Sequence, residues 1–260
     1  MTVHAAPPPA DLVVLTPVAD GVLRLTLNRP EALNALNREL TWALESAVER
    51  VATMQDVRVL LVCGRGRAFC AGNDIKEMET VTGDEAQALA TRHATLMDRF
   101  SRLPQVTLAV IDGHALGGGL MLAVAQDLRI ASDRARLGLP EVTLGFNPGY
   151  GIARFLDIAG GGHGRDLLLS GRVVHAGEAL RLGLVNRVVA PATIDASATR
   201  WASEIAASPR EGLAATKSVV AGIRAGTPGR EPEAYGAALR TSEAARARIR
   251  AFAERNRRSR

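Results

Sequence analysis

Three stretches carry residue types that could act together on a polarised carbonyl. The first reads Ile-Asp-Gly-His-Ala-Leu-Gly-Gly-Gly-Leu-Met-Leu-Ala-Val over residues 111–124. An apolar strand, Val106 to Ile111, leads into it, and a small-residue helix begins near Gly118 or Gly119. Glycines at a helix start leave backbone N–H groups unshielded, without intrahelical partners and at the positive end of the helix dipole. Such groups can receive an anion or a developing oxyanion, although the same glycines would equally serve a tight strand-to-helix turn. The second stretch, Ala71-Gly72-Asn73-Asp74, closes another loop that follows an interior strand. The third is Glu141, directly after Pro140. Two N–H groups converging on one thioester oxygen would stabilise an enolate, and the loss of one such donor costs about 10²–10³ in rate. A carboxylate near the α-carbon would then move the proton; alternatively, Glu141 caps the segment that follows or meets an arginine.

The elements that must position these residues can be read from periodicity. Leu12–Thr16 and Val22–Leu27 are predicted strands around the turn Asp20-Gly21. A helix is predicted from Arg38, capped by Asn37, with Leu40, Leu44, Ala47, Val48 and Val51 on its buried face. Val57–Cys63 is apolar on both faces and reads as an interior strand. A helix over Thr91–Leu103 stops at Pro104. Beyond the glycines come a strand at Leu128–Ala131, an extended piece at Leu137–Leu139 and a loop from Pro140 to Gly151. Helical patterns cover Ile152–Leu156, Arg165–Leu169, Gly177–Leu182, Ile194–Ala207, Gly212–Arg224 and Ser242 to about Arg255, with one strand at Val185–Val189. The order implies a mixed α/β core over residues 1–190, with residues 1–11 a loose tail, and a helical region over 191–260.

Composition narrows the class. The chain has 260 residues, 47% of them apolar but only 3% aromatic, so Ala, Val and Leu must fill the core. Cys63 and Cys70 are too few for a disulfide framework, and no segment approaches the roughly 18 apolar residues of a membrane span. A soluble, cytoplasmic protein is expected. The net charge of +5 gathers at the end of the chain, in Arg246, Arg248, Arg250, Arg255, Arg257, Arg258 and Arg260. Little aromatic interleaving accompanies them, which argues against nucleic acid as a partner. No dinucleotide fingerprint, phosphate-binding loop, zinc motif or nucleophile elbow occurs. The histidines His4, His93, His114, His163 and His175 lack metal-ligand spacing and read as structural or exposed, with His114 retained because it adjoins the glycine turn.

Four blocks, in order, resemble the enoyl-CoA hydratase/isomerase (crotonase) superfamily over about Val22 to Phe252. They are Leu27-Asn28-Arg29-Pro30-Glu31-Ala32-Leu33-Asn34-Ala35-Leu36, Ala68-Phe69-Cys70-Ala71-Gly72-Asn73-Asp74-Ile75-Lys76-Glu77, Asp112-Gly113-His114-Ala115-Leu116-Gly117-Gly118-Gly119, and the stretch from Gly171-Arg172 to Val185-Asn186. The resemblance implies a crotonase-like (ClpP/crotonase) α/β fold, a ββα spiral with a helical C-terminal trimerisation region. It implies a homotrimer or dimer of trimers, and coenzyme A as part of the thioester substrate rather than a resident cofactor. The amides of Asn73 and Gly118 become the oxyanion hole and Glu141 the catalytic carboxylate. Ala32, Leu33, Ala71, Asp74, Ile75 and Lys76 would border the CoA. Gly117 and Met121 would join them in contacting the substrate, Gly149 and Tyr150 would lie in a loop that shapes the acyl pocket, and Phe252 would lie near a neighbouring subunit's CoA.

Two departures bear on the reaction. Family hydratases carry a glutamate two residues after the glycine triplet, where this chain has Met121, whereas the second hydratase glutamate corresponds to Glu141. Holding water for hydration uses two carboxylates, while shifting a double bond needs a single base, so the resemblance implies isomerase-type chemistry. Weak hydration and non-catalytic acyl-CoA binding are the alternatives. In Phe146-Asn147-Pro148-Gly149-Tyr150-Gly151, Tyr150 intrudes where the family has small residues; packing is the favoured role, and a hydroxyl offered to the acyl pocket is the other.

Overall fold

The computed structural model describes residues 12–224 and 241–258. The expected loose tail at 1–11 lies outside them.

A long sheet and a short sheet organise the core. The long one has strand order β1-β2-β3-β5-β7-β10, built from Val13–Ala19, Val22–Leu27, Val59–Gly64, Val106–Ile111, Leu128–Ser132 and Arg187–Val189. β1 and β2 are antiparallel and the other neighbours parallel. The short sheet, β4-β6-β8-β9, uses Ala68–Cys70, His114–Leu116, Arg136–Gly138 and Val173–His175. Each of β3, β5 and β7 therefore continues after a turn into a strand of the short sheet, and a helical segment follows: the ββα spiral expected from the resemblance.

The helices are α1 (Arg38–Thr53), α2 (Ile75–Met78), α3 (Gly83–Arg102), α4 (Gly118–Ala125), α5 (Ile152–Ala159), α6 (Gly161–Ser170), α7 (Ala176–Arg181), α8 (Ile194–Ala206), α9 (Arg210–Arg224) and α10 (Glu243–Arg258). On α1 the Asn37 side chain accepts from the Leu40 amide at 2.9 Å, and the buried face is the predicted one. All eight residues of α4 are buried, so this helix has no polar face and runs through the core. α8 covers the far side of the long sheet, seating Ile194, Ala198, Trp201 and Ala202 on Val59, Leu61, Leu108 and Ile130.

Several boundaries differ from expectation. The helix predicted from Thr91 begins at Gly83, because Thr82 and Glu85 form a capping box that adds two turns. The strand predicted from Val57 starts at Val59, and β10 starts at Arg187 rather than Val185. Pro140–Leu144, expected as loop, is a 3₁₀ turn closed by Gly145 in the left-handed region (φ 85°). β4, β6 and β9 escape the sequence reading because three residues show no alternation.

Candidate active site

The short sheet is what gathers the site. β4 runs parallel to β6 with Cys70 opposite Ala115, and β8 runs parallel to β6 with Gly138 opposite Leu116. Asn73 lies three residues past Cys70, Gly118 three past Ala115, and Glu141 three past Gly138. Neighbouring strands in register thus release all three residues from one edge.

The loops touch where they leave that edge. A methyl placed on Gly72 would sit 3.0 Å from the Leu116 carbonyl oxygen and 3.7 Å from the Gly118 nitrogen. One placed on Gly118 would sit 2.5 Å from Asn73 Oδ1 and would run into the Tyr150 hydroxyl. One on Gly117, which has φ 52°, would sit 2.9 Å from Glu141 Oε1. Only glycine leaves room for these approaches.

The amides are disposed as donors. Leu36 bridges the 71–74 loop, its N–H donating to the Gly72 carbonyl at 2.8 Å and its carbonyl accepting from Asp74 at 3.0 Å. The Asn73 amide between them pairs with nothing among the described residues. Gly118 opens α4, where the first-turn N–H has no acceptor within its helix. The Ala71 amide is tied to the Leu33 carbonyl at 3.0 Å, so the segment carrying Ala32 and Leu33 lies against this loop.

Beside Asn73 opens a cavity of about 400 Å³, walled by Met78, Val81, Ala86, Leu89, Ala90 and Phe146. The carboxylates on its wall are paired, whereas His93 Nδ1 is buried without a hydrogen bond. Asp74 bonds Arg29 at 2.5 Å and caps α2 through the Lys76 and Glu77 amides; the Arg29 partnership, working against burial, holds its carboxyl below the usual range. Glu77 accepts from the Arg38 amide at 3.0 Å and pairs with the Arg38 guanidinium at 3.5 Å. Among the described residues Glu141 has no cationic partner, and its Oε2 is buried without a hydrogen bond. Burial raises its pKa above the usual carboxylate range.

Tyr150 donates from its hydroxyl to Asn73 Oδ1 at 2.9 Å and is 7% exposed. Packing, the role favoured from sequence, is therefore only half of what it does. Burial, with the nearby Glu141 carboxylate, raises its pKa and keeps the phenol protonated. Its ring lies 5.2 Å from that of His93, which sequence reasoning set aside with the other histidines. The Thr41 hydroxyl donates to the Asn37 carbonyl at 2.8 Å, so towards His93 Nε2, 3.0 Å away, it can only accept. His93 is thereby fixed as the Nε2–H tautomer, and burial lowers its pKa to about 4, leaving it neutral. The capping box at Thr82 was the available signal, since a helix begun there sets His93 on the same face as Leu89, Leu96 and Phe100.

Other predicted site residues fall elsewhere. Gly149 lines the cavity, whereas Gly117, Gly118 and Glu141 lie beyond Tyr150. Met121, expected among the substrate-binding residues, is 2% exposed and does not line the cavity; its sulfur lies beneath Gly151 because α4 is buried all round. Ile75 and Lys76 are exposed on α2. Phe252 is 59% exposed on α10 and does not line the cavity; His114 is exposed on β6. Among the described residues no cluster of three metal-ligating side chains occurs, and no helix is long and apolar enough to cross a membrane.

Residues 18–256 match the sequence model of the enoyl-CoA hydratase/isomerase family, and the chain belongs to that family. It is 36% identical over 201 residues to a protein of Mycobacterium avium named "Probable enoyl-CoA hydratase", covering 77% of this chain and 78% of that one. A short-chain-enoyl-CoA hydratase of Clostridium acetobutylicum is 34% identical over 198 residues, covering 75% and 76%. The crystal structure of an enoyl-CoA hydratase from Bacillus anthracis superposes with a TM-score of 0.87 at 30% identity, covering 94% and 96%. The fold is thus the crotonase fold, and the chain is an acyl-CoA enzyme of that family.

Proposed function

We propose that the chain shifts a double bond along an acyl-CoA thioester. The Asn73 and Gly118 amides receive the enolate oxygen, and Glu141 takes a proton at one carbon and returns it at another. One observation carries the single-base reading: of the carboxylates around the site, Asp74 and Glu77 are bound to Arg29 and Arg38, and Glu141 alone is unpaired. Met121, buried under Gly151, offers no second group to hold a water. The 400 Å³ cavity supplies an apolar channel for the acyl chain. Coenzyme A enters as the carrier of the substrate, over the rim of Ala32, Leu33, Ala71, Ile75 and Lys76. A trimeric assembly would bring the exposed Phe252 of one copy to the CoA of another. The names of the relatives favour hydration as the second reading.

The test follows 3-enoyl-CoA and 2-enoyl-CoA by NMR together with mass spectrometry, since migration leaves mass unchanged and hydration adds one water. Migration should dominate, and Glu141→Gln should reduce it by about 10²–10⁴. Undiminished migration in that variant removes Glu141 from the mechanism; hydration outpacing migration in the wild type establishes the second reading.

A further inference from the structure

A second cavity, of about 420 Å³, lies between β7, α5 and α9, and its contents do not balance. Four cations line it, Arg129, Arg154, Lys217 and Arg224, against two carboxylates, Asp127 and Asp157. Both carboxylates are spoken for. Lys217 Nζ meets Asp127 Oδ2 at 2.7 Å and also donates to the Gln105 carbonyl at 2.8 Å; Asp127 further accepts from the Thr107 amide and hydroxyl. Arg224 pairs with Asp157 at 3.4 Å. Two guanidiniums remain. Arg129, 4% exposed, gives Nε to the Leu184 carbonyl and Nη1 to the Gln126 carbonyl, both neutral, and its Nη2 has no partner. Arg154, on α5, makes no hydrogen bond or ion pair among the described residues. Burial lowers both to about 10; Arg154 acting on Arg129 and Arg224 on Arg154 add to it, while Asp127 opposes it at both and Asp98 and Asp157 oppose it at Arg154.

Two adjacent guanidiniums in a half-buried recess raise each other's free energy unless an anion neutralises them. The rest of the wall selects the kind of anion. Val106, Leu128, Ile158, Ile205, Leu213 and Val220 line the same cavity, an apolar lining that a bare inorganic ion cannot use. From the excess of cations over carboxylates and from the Arg129–Arg154 pair, which makes no ion pair among the described residues and is set in this apolar recess, we infer a binding site for an amphipathic organic anion, a carboxylate head on an aliphatic body. The head lies in the guanidinium fork, which matches two carboxylate oxygens, and the body lies along Leu213 and Val220. The site shares no lining residue with the cavity at Asn73 and is independent of the reaction proposed there.

Octanoate is a suitable probe, titrated calorimetrically into the full chain at constant ionic strength, with 1-octanol as the uncharged control. Octanoate should bind at least tenfold more tightly than octanol at one site that Arg154→Gln weakens tenfold or more. Arg154→Lys, which keeps the charge but not the fork, should recover part of the loss. Arg154 touches no described hydrogen-bond partner, so both variants are expected to fold, and their circular dichroism should match the wild type. Equal binding of octanoate and octanol, or octanoate binding unchanged in Arg154→Gln, overturns the site. So does the absence of octanoate binding.

Discussion

The two cavities have nearly the same volume, about 400 and 420 Å³, yet their polar groups are handled in opposite ways. Beside Asn73 the charged groups are paired, Asp74 with Arg29 and Glu77 with Arg38, and neutral groups are hydrogen-bonded: Asn37 carbonyl, Thr41 hydroxyl, His93 ring, with Tyr150 bonded separately to Asn73. Around Arg129 and Arg154 four cations face two carboxylates, and these two guanidiniums make no ion pair among the described residues. A site that must stabilise charge only as it develops gains from fixed, neutral dipoles that need no reorganisation. Standing cations suit a ligand that arrives already charged. The contrast separates a site for chemistry from a site for binding.

Four substitutions probe that contrast, in decreasing order of effect. Gly118→Ala should reduce turnover by at least about 10². Its methyl meets Asn73 Oδ1 and the Tyr150 hydroxyl, spreading the loops that carry the two amides; steady-state kinetics with retained circular dichroism would check it. Normal turnover would show that the amides need no close approach.

The neutral histidine makes a prediction in pH. Burial holds the folded pKa of His93 at about 4, below its ordinary 6.5. Between those values the unfolded chain binds a proton that the folded chain refuses, so stability falls as pH drops from 6.5 to 4. The full window is worth about 3 kcal/mol. His93→Leu should flatten that part of the stability curve, measured by urea unfolding from pH 7 to 4. An unchanged slope would mean that the ring is charged in the folded protein.

Tyr150→Phe removes one hydrogen bond, worth about 1 kcal/mol. It should lower kcat severalfold while leaving KM nearly constant, because Tyr150 positions the Asn73 loop. A change confined to KM would instead give Tyr150 a contact with the acyl chain. The smallest effect belongs to the other cavity: without ligand, Arg154→Gln should change stability by no more than about 0.5 kcal/mol. A loss well above that would show that Arg154 has a partner within the folded protein.

Local rules made much of this molecule legible in its sequence. Asn37 capping α1, an interior strand at Val57–Cys63, the glycine-opened helix, the two loops at 71–74 and 117–119 and the candidate Glu141 follow from side-chain size, periodicity and backbone chemistry in single segments, whereas the resemblance singled out Asn73 and Gly118 within those loops. The four family blocks ordered those segments into a fold. What the chain order could not state is register. β4, β6 and β8 are three residues each and acquire meaning only by pairing, which places Asn73, Gly118 and Glu141 at one edge. The same holds for charge. Nothing in one dimension says that Asp74 is spent on Arg29, that Glu141 is left without a cation, or that Arg129 and Arg154 share a recess. Pairing and burial act between segments far apart in the chain, so tertiary structure alone decides which ionisable group has a partner and which must find one in a ligand.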